Sequence, residues 1–210
     1  MKIKKGDIIS LDYAGTIKDE DVVFDLTDPE LLKKTSKKLP PKVIKVGEGD
    51  ILPGLDKKLP GKEIGKIYTI QVDHMDAFGK KDPKLLKLES LSVFKKQNID
   101  PYPGMQLDLG GNIATVRTVG AGRVTLDLNH PLAGKDLTYK IRINKKITDL
   151  KEQIQGLVHL AIPDAEVELK EKTATINIKQ KVNKQLEKVI SDNIKQRFPE
   201  LSHTKVTTKP

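Results

Sequence analysis

The chain has 210 residues, of which four are Tyr and four are Phe, and it contains neither Trp nor Cys. The lack of Cys excludes disulfides, cysteine nucleophiles and zinc sites built on thiolates. The net charge of +9 comes from 38 basic and 29 acidic residues, and the basic residues are dispersed, which favours a solvated surface over a nucleic-acid interface. No apolar run approaches the roughly 18–20 residues of a membrane span, and the N-terminus does not resemble a signal peptide. The sequence therefore predicts a cytoplasmic protein.

The first 80 residues predict a β-rich region around one short helix. Asp12 and Asp25, taken alone, are interpreted as solvated acids at strand ends, and Ala14-Gly15 as part of a turn. A Pro at position 53 suits the first turn of a helix, where a missing N–H costs little. Alternating or β-branched residues predict strands over 8–13, 22–25, 42–46 and 67–72, and an amphipathic pattern predicts a helix over 52–59.

Residues 85–128 form a second, mostly β region. Gly110-Gly111-Asn112 and Gly120-Ala121-Gly122 predict hairpin turns, because Gly readily adopts positive φ. A unit this small has a marginal core, so we expect an insertion supported by a host domain. The predicted elements are a helix over 90–98 and strands over 105–109, 113–119 and 124–128, followed by a strand over 138–143 that returns to the host.

From residue 150 onward the sequence predicts a small α+β domain. Apolar residues at helical spacing predict a helix over 184–198, with Asn183 as its N-cap and Pro199 at its end. Alternating patterns predict strands over 158–162, 167–169, 174–178 and 204–208.

Most single motifs carry little chemistry. Gly47-Glu48-Gly49 is interpreted as a turn and not as a phosphate loop, because no Gly-Lys-Ser/Thr and no long helix follow. The four His show no metal-ligand spacing, so no metal is expected, and His130 is interpreted as a turn residue.

Taken together, several of these positions resemble the FKBP-type peptidyl-prolyl isomerase family. The most specific segment is Asn-His-Pro-Leu-Ala-Gly-Lys-Asp-Leu at 129–137, which follows the insertion behind Phe78-Gly79 and is similar to the SlyD-like branch. The resemblance covers about residues 1–145. The extra C-terminal domain resembles the long archaeal form, and the His-rich, nickel-binding tail of the bacterial form has no counterpart here.

The resemblance implies an α+β fold with three parts. An antiparallel FKBP-type half-barrel around a short helix would comprise residues 1–84 and 129–150. A small mostly-β "insert-in-flap" domain would comprise residues 85–128, and a small α+β C-terminal domain residues 151–210. The implied activity is cis-trans isomerisation of X-Pro bonds, which needs no cofactor and no metal.

The resemblance also implies a pocket. Three positions depart from the family pattern: Leu55 replaces the Trp of the pocket floor, Phe78 a Tyr, and Lys42 a pocket Phe of some members, which weakens the expectation of macrolide-inhibitor binding. The positions carried over as catalytic are Tyr13, Asp25, Leu52 through its N–H, Phe78 and Tyr139, and those carried over as substrate-binding are Phe24, Ile51 and Leu55.

The insertion is expected to bind unfolded chains and to pass their prolines to this pocket. The residues predicted to bind clients are Val93, Phe94, Met105 and Leu107. Two other functions stay open at this point: a non-catalytic holdase, and a basic module that binds RNA or the ribosome, supported only by the 12 − 7 = +5 balance of residues 81–150. The expected partners are unfolded or nascent proline-containing polypeptides, with neither a membrane nor a nucleic acid, and a homodimer through the C-terminal domain is conceivable.

Overall fold

The computed structural model describes residues 1–20, 22–180 and 182–208. The chain forms two compact units, one of Met1–Gln71 with Thr138–Pro210 and one of Val72–Leu137. Within the described ranges, no helix is long and apolar enough to cross a membrane. In chain order the elements are β1 (Ile8–Ile17), β2 (Val23–Leu26), β3 (Lys42–Lys45), α1 (Pro53–Asp56), β4 (Ile67–Val72), β5 (Leu86–Ser90), α2 (Leu91–Lys96), β6 (Gln106–Asp108), β7 (Ile113–Gly120), β8 (Arg123–Asp127), β9 (Leu137–Lys146), α3 (Leu150–Ala161), β10 (Glu166–Lys170), β11 (Thr173–Ile178), α4 (Lys184–Arg197) and β12 (His203–Thr208).

The larger unit is built on a five-stranded sheet with the order β2-β1-β9-β4, in which β3 pairs antiparallel with β1. Along β9 every second residue from Leu137 to Ile143 is buried, as expected for a strand with one face on a core. α1 begins with Pro53 and buries Leu55. These findings confirm the α+β class and the predicted returning strand.

Two buried carboxylates correct the interpretation of Asp12 as a solvated acid. Asp12 is 1% exposed and Asp28 is fully buried. The guanidinium of Arg142 on β9 bridges both carboxylates, and Asn144 Nδ2 donates to Asp12 Oδ2 at 3.0 Å. Burial by itself would raise the pKa of Asp28, but hydrogen bonds and charges from Lys38, the Glu30 N–H and Arg142 lower that pKa below its ordinary value.

The smaller unit contains a four-stranded antiparallel sheet with the order β5-β8-β7-β6. The hydroxyl of Ser90 accepts from the Ser92 N–H and caps α2. β5 was not predicted, although Leu86-Lys87-Leu88-Glu89 alternates apolar and polar residues. In the structure all five residues of Leu86–Ser90 are exposed. The core of this unit consists of Phe94, Ala114, Val116, Val124 and Leu126.

The C-terminal segment confirms α4 and β12 but corrects one element. The Asn183 side chain accepts from the Leu186 N–H, as predicted for an N-cap. The strand predicted over 158–162 is wrong, because Val158 lies in the last turns of α3. Asp149 caps this helix by accepting from Glu152 N at 2.8 Å. β12 is parallel to β11, in a three-stranded sheet with the order β10-β11-β12.

The C-terminal segment packs against the first sheet. Ile8 and Ile147 share one hydrophobic core with Ile154, Leu157 and Phe198. α3 approaches β3 so closely that a Cβ on Gly156 would lie 2.4 Å from Val43 Cβ. Glycine at this position therefore permits the contact between α3 and β3. The domain boundary predicted from the sequence between residues 150 and 151 stays a prediction.

We expect Gly156→Ala to destabilise the protein. In an exposed helix interior this change would stabilise by about 0.5–1 kcal/mol, but the clash with Val43 adds an overpacking cost of roughly 1–3 kcal/mol. The midpoint of urea unfolding, followed by circular dichroism, should therefore fall.

The matched control is the double variant V43A/G156A, in which the smaller side chain makes room for the new methyl group. Its loss of stability should be smaller than the sum of the two single losses. An unchanged or raised midpoint for Gly156→Ala would contradict the close approach of α3 to β3.

Candidate active site

Three aromatic side chains meet on the sheet of the larger unit. Tyr13 on β1 and Tyr139 on β9 have ring centroids 6.1 Å apart. Phe24 on β2 meets the edge of Tyr139 at 5.7 Å with an interplanar angle of 86°. Both distances lie in the favourable range for aromatic pairs. Three of the four aromatic residues that the sequence placed in a pocket are therefore in one cluster.

Gly15 makes room for this cluster. It lies inside β1, opposite Asp25 on β2, at a point where the register shifts, so the turn predicted at Ala14-Gly15 is wrong. A Cβ at this position would lie 2.7 Å from the Phe24 ring and 3.0 Å from the Tyr139 ring. The importance of Gly15 was missed, because a Gly beside a charged hairpin predicts a turn more readily than a close approach of rings.

Tyr13 is the polar member of the cluster. Its hydroxyl donates to Asp25 Oδ2 at 2.8 Å, and its N–H donates to Thr27 Oγ1. Burial, and then the hydrogen bond to the Asp25 carboxylate, raise the pKa of the Tyr13 phenol far above its usual value. Burial also raises the pKa of Tyr139. Both phenols are therefore neutral at physiological pH, and Asp25 keeps an exposed edge.

The loop before α1 carries the predicted aliphatic residues. Ile51 and Leu52 are half-buried, and Leu55 is 2% exposed. The loop is held internally by Asp56, which accepts from the N–H groups of Gly47 at 2.8 Å and Gly49 at 3.0 Å. A protein carboxylate thus occupies the donors of this glycine-rich turn, in agreement with its interpretation as a turn.

Phe78 belongs to the smaller unit. Its ring stacks on His130 with centroids 4.2 Å apart and an interplanar angle of 4°. Asn129 lies next to this pair and ties two segments together, since its side-chain oxygen accepts from Asp82 N at 2.7 Å. The structure therefore assigns His130 and Asn129 a local structural role, and the catalytic role of Phe78 stays a prediction.

The residues predicted to bind clients differ in exposure. Phe94 is 6% exposed and lies in the core of the smaller unit, whereas Met105 and Leu107 are half-buried against that core. Val93 is exposed. Other exposed apolar side chains of this unit are Leu88, Tyr102, Leu109 and Ile113. The sequence patterns place Leu109 and Ile113 in predicted strands, but they do not show which face of each strand is exposed.

One group of side chains has donors that could hold a metal ion. The ligand atoms of Asp73, His74 and Asp136 lie within 4.8 Å of one another. Hydrogen bonds inside the group already engage these atoms: His74 Nδ1 lies 2.8 Å from Asp136 Oδ1, and Asp73 Oδ1 accepts from Met75 N. These hydrogen bonds join two segments of the smaller unit.

Two protein-family models match the chain. Residues 1–95 match the model described as FKBP-type peptidyl-prolyl cis-trans isomerase. Residues 87–132 match the model described as FKBP26, IF domain. The two matches overlap over residues 87–95, and the second lies within the smaller unit.

Curated relatives agree with the family models. A "Probable FKBP-type 16 kDa peptidyl-prolyl cis-trans isomerase" of Pseudomonas fluorescens is 35% identical over 108 residues, which are 49% of this chain and 71% of that protein. A "Short-type peptidyl-prolyl cis-trans isomerase" of Methanocaldococcus jannaschii is 29% identical over 67% of this chain and 92% of its own. The SlyD isomerase of Vibrio cholerae is 29% identical over 77% of each chain.

Proposed function

Because the chain belongs to the FKBP-type peptidyl-prolyl cis-trans isomerase family, we propose that its prolyl pocket is built from the aromatic cluster and the loop before α1. The enzyme acts on X-Pro bonds of polypeptides. The observation that carries the assignment is the apolar cluster of Tyr13, Phe24 and Tyr139, with one polar edge at Asp25. Ile51, Leu52 and Leu55 complete the proposed site.

The chemistry requires no covalent step. Isomerisation of an X-Pro bond is slow because planar amide resonance opposes rotation, with a barrier of about 18–20 kcal/mol. A pocket lowers this barrier if it binds the twisted amide better than either planar form. The twisted form has less charge separation than the planar amide, so the low-dielectric surface of the rings favours it. No side chain has to attack the substrate.

Asp25 and Leu52 are proposed to orient the substrate. The Tyr13 hydroxyl holds the Asp25 carboxylate at the edge of the cluster, where it polarises the slot. Leu52 has extended backbone angles and its carbonyl caps α1, accepting from the Leu55 and Asp56 N–H groups. The Leu52 N–H is the group that we propose to bind a carbonyl of the substrate chain.

We expect Tyr13→Phe and Asp25→Ala each to lower kcat/KM about tenfold or more, since a hydrogen bond to a charged group contributes roughly 1.5–3 kcal/mol. A protease-coupled assay on a prolyl tetrapeptide measures the loss. Glu30→Ala, which removes an exposed acid near the same hairpin, is the matched control and should keep full activity. Unchanged turnover in both site variants, with folding intact, would contradict the roles proposed for Tyr13 and Asp25.

We further propose a chaperone function for the smaller unit. Leu88 and Ile113 lie on strands of its sheet and are 58% and 61% exposed. Leu88 pairs with Thr125 in the β5–β8 register, so it points away from the face that carries buried Val124 and Leu126. Leu86, two residues earlier on the same face of β5, is also exposed, and adjoining exposed apolar side chains are typical of surfaces that bind other chains. Unfolded polypeptides, which expose apolar residues, are the proposed clients.

Binding of clients by this unit would raise the local concentration of substrate at the prolyl pocket. We therefore expect the variant L88S/I113S to lose most of its acceleration of proline-limited refolding of an unfolded protein. Its kcat/KM on a tetrapeptide should change less than twofold, because a short peptide does not need a second binding site.

Two controls accompany this experiment. Thr118→Ser, at an exposed position of β7, should behave like the wild type in both assays. Deletion of residues 85–128 should give the same separation between the two substrates as the double variant. Equal losses on both substrates would count against the handover of clients.

A homodimer through the C-terminal segment is the third proposal. A largely apolar groove of about 380 Å³ runs between α3 and α4, and Leu186 and Val189 on its rim are exposed. Burial of such side chains against a second copy would contribute about 1.5–3 kcal/mol each.

The cytoplasmic location predicted from the sequence stays a prediction.

We expect light scattering after size exclusion to give a dimer mass for the wild type and a monomer mass for V189D, because a buried charge without a partner is costly. The control is Lys188→Asp, which also adds a negative charge to α4. Lys188 is exposed and does not line the groove, so this variant should stay dimeric. A monomeric wild type at all concentrations would exclude this interface.

A further inference from the structure

The C-terminal helix contacts the loop that carries the proposed pocket residues. Asp50 lies immediately before Ile51 and Leu52. Arg197, in the last turn of α4, binds the Asp50 carboxylate through both terminal nitrogens. Nη2 lies 2.7 Å from Asp50 Oδ1, and Nη1 donates to Asp50 Oδ2 at 3.0 Å. The Asp50 side chain is only 5% exposed and that of Arg197 is 22% exposed. A bidentate pair of this kind fixes both distance and orientation.

The same pair is tied to the end of β3. Asp50 Oδ2 also accepts from the Lys45 N–H at 2.8 Å. In return, Lys45 Nζ donates to the backbone carbonyl of Arg197 at 3.2 Å. Asp50, directly before Ile51 and Leu52, is therefore held by the end of β3 and by the end of α4.

Two carboxylates hold the loop at different points. Asp56 binds the N–H groups of Gly47 and Gly49 from within the loop and α1. Both glycines have positive φ, 84° and 78°, a backbone conformation that supplies little stiffness of its own. Asp50 provides the second anchor, and a side chain of the C-terminal segment, Arg197, holds it.

The end of α4 that carries Arg197 is packed into the core. Its neighbour Phe198 and Ile194 one turn earlier are 2% and 4% exposed and lie in the core shared with Ile8 of the first sheet. The guanidinium therefore projects from a helix end that is packed against the same sheet that bears Tyr13. A shift of α4 would be transmitted to Asp50 and to the adjacent backbone.

We propose that Arg197 is a positioning residue for prolyl isomerisation, which sets the backbone of Ile51 and Leu52 through Asp50. The inference rests on the proposed pocket and gives the C-terminal segment a part in catalysis. The Leu52 N–H can hold a substrate carbonyl in a useful orientation only if the loop has one conformation, because misplacement of a binding group by about 1 Å costs roughly a hundredfold in rate.

Three variants test this role in the full-length protein with the tetrapeptide assay. Arg197→Ala should lower kcat/KM about tenfold, mainly through kcat, since a loosened loop binds the twisted amide less well. Arg197→Lys keeps the charge but not the bidentate geometry, and should recover part of the loss. Asp50→Asn should resemble Arg197→Ala, and the double variant should be no worse than either single one.

The stability control is Ile176→Val, a fully buried residue of β11 in the core that Ile194 and Phe198 share, so the change loosens the same packing without removing the ion pair. This change lowers stability by about 0.5–1.5 kcal/mol and should leave kcat and KM at wild-type values. A second readout is the amide signal of Leu52 in a nitrogen–proton correlation spectrum. It should move and exchange faster with solvent in Arg197→Ala, but not in Ile176→Val.

The outcomes separate the two hypotheses. Wild-type kcat and an unmoved Leu52 signal in both Arg197→Ala and Asp50→Asn, beside an impaired Asp25→Ala, overturn the positioning role and leave the pocket intact. Wild-type turnover in Asp25→Ala and Tyr13→Phe overturns the pocket, and this inference with it. An equal fall in kcat in Arg197→Ala and in Ile176→Val would show that activity merely follows stability, and would also overturn the positioning role.

Discussion

The central constraint in the larger unit is the burial of two carboxylates, Asp12 and Asp28, which need the guanidinium of Arg142. Loss of Arg142 would leave the two buried carboxylates to share the ammonium group of Lys38, and removal of one partner from a buried ion pair costs about 3–5 kcal/mol. Arg142 lies on β9, and Asp12 on β1 directly precedes Tyr13. Thr27 connects the charge group to the site, because its hydroxyl donates to Asp12 while it accepts from the Tyr13 N–H. The orientation of the aromatic cluster therefore depends on a charge that arrives 130 residues later in the chain.

Sequence patterns were informative where one element meets one core. β9 alternates cleanly and α4 has an N-cap with helical spacing, so both were predictable. Helix α3 was not predicted, because the alternation of Val158, Leu160 and Ile162 at its C-terminal end indicated a strand. The burial of Asp12 could not be predicted either, since its partners come from distant segments and leave no local signal.

The site shows the same division. Tyr13, Phe24, Asp25 and Tyr139 could be placed together by resemblance, and the structure brings them into contact. The supporting contacts were invisible: Gly15 looks like a turn residue, and the pairing of Asp50 with Arg197 spans most of the chain. Phe94 was predicted to bind clients but lies in the core of the smaller unit, because an apolar residue of a small insertion can serve either purpose. The residue types therefore indicated which side chains form the site, whereas the contacts that position them depend on the tertiary structure.

The position of β9 between β1 and β4 has a consequence for biosynthesis. All strands of the smaller unit's sheet lie between residues 86 and 127, so its pairings are local, whereas β1 cannot gain its neighbour β9 until residue 146 has been made. Local pairings form faster than distant ones, and domains fold as the ribosome releases them. The surface proposed to bind unfolded chains is thus complete while β1 and β4 of its own catalytic host still lack the strand that lies between them. The first unfolded client within reach of the nascent insertion is the rest of its own chain.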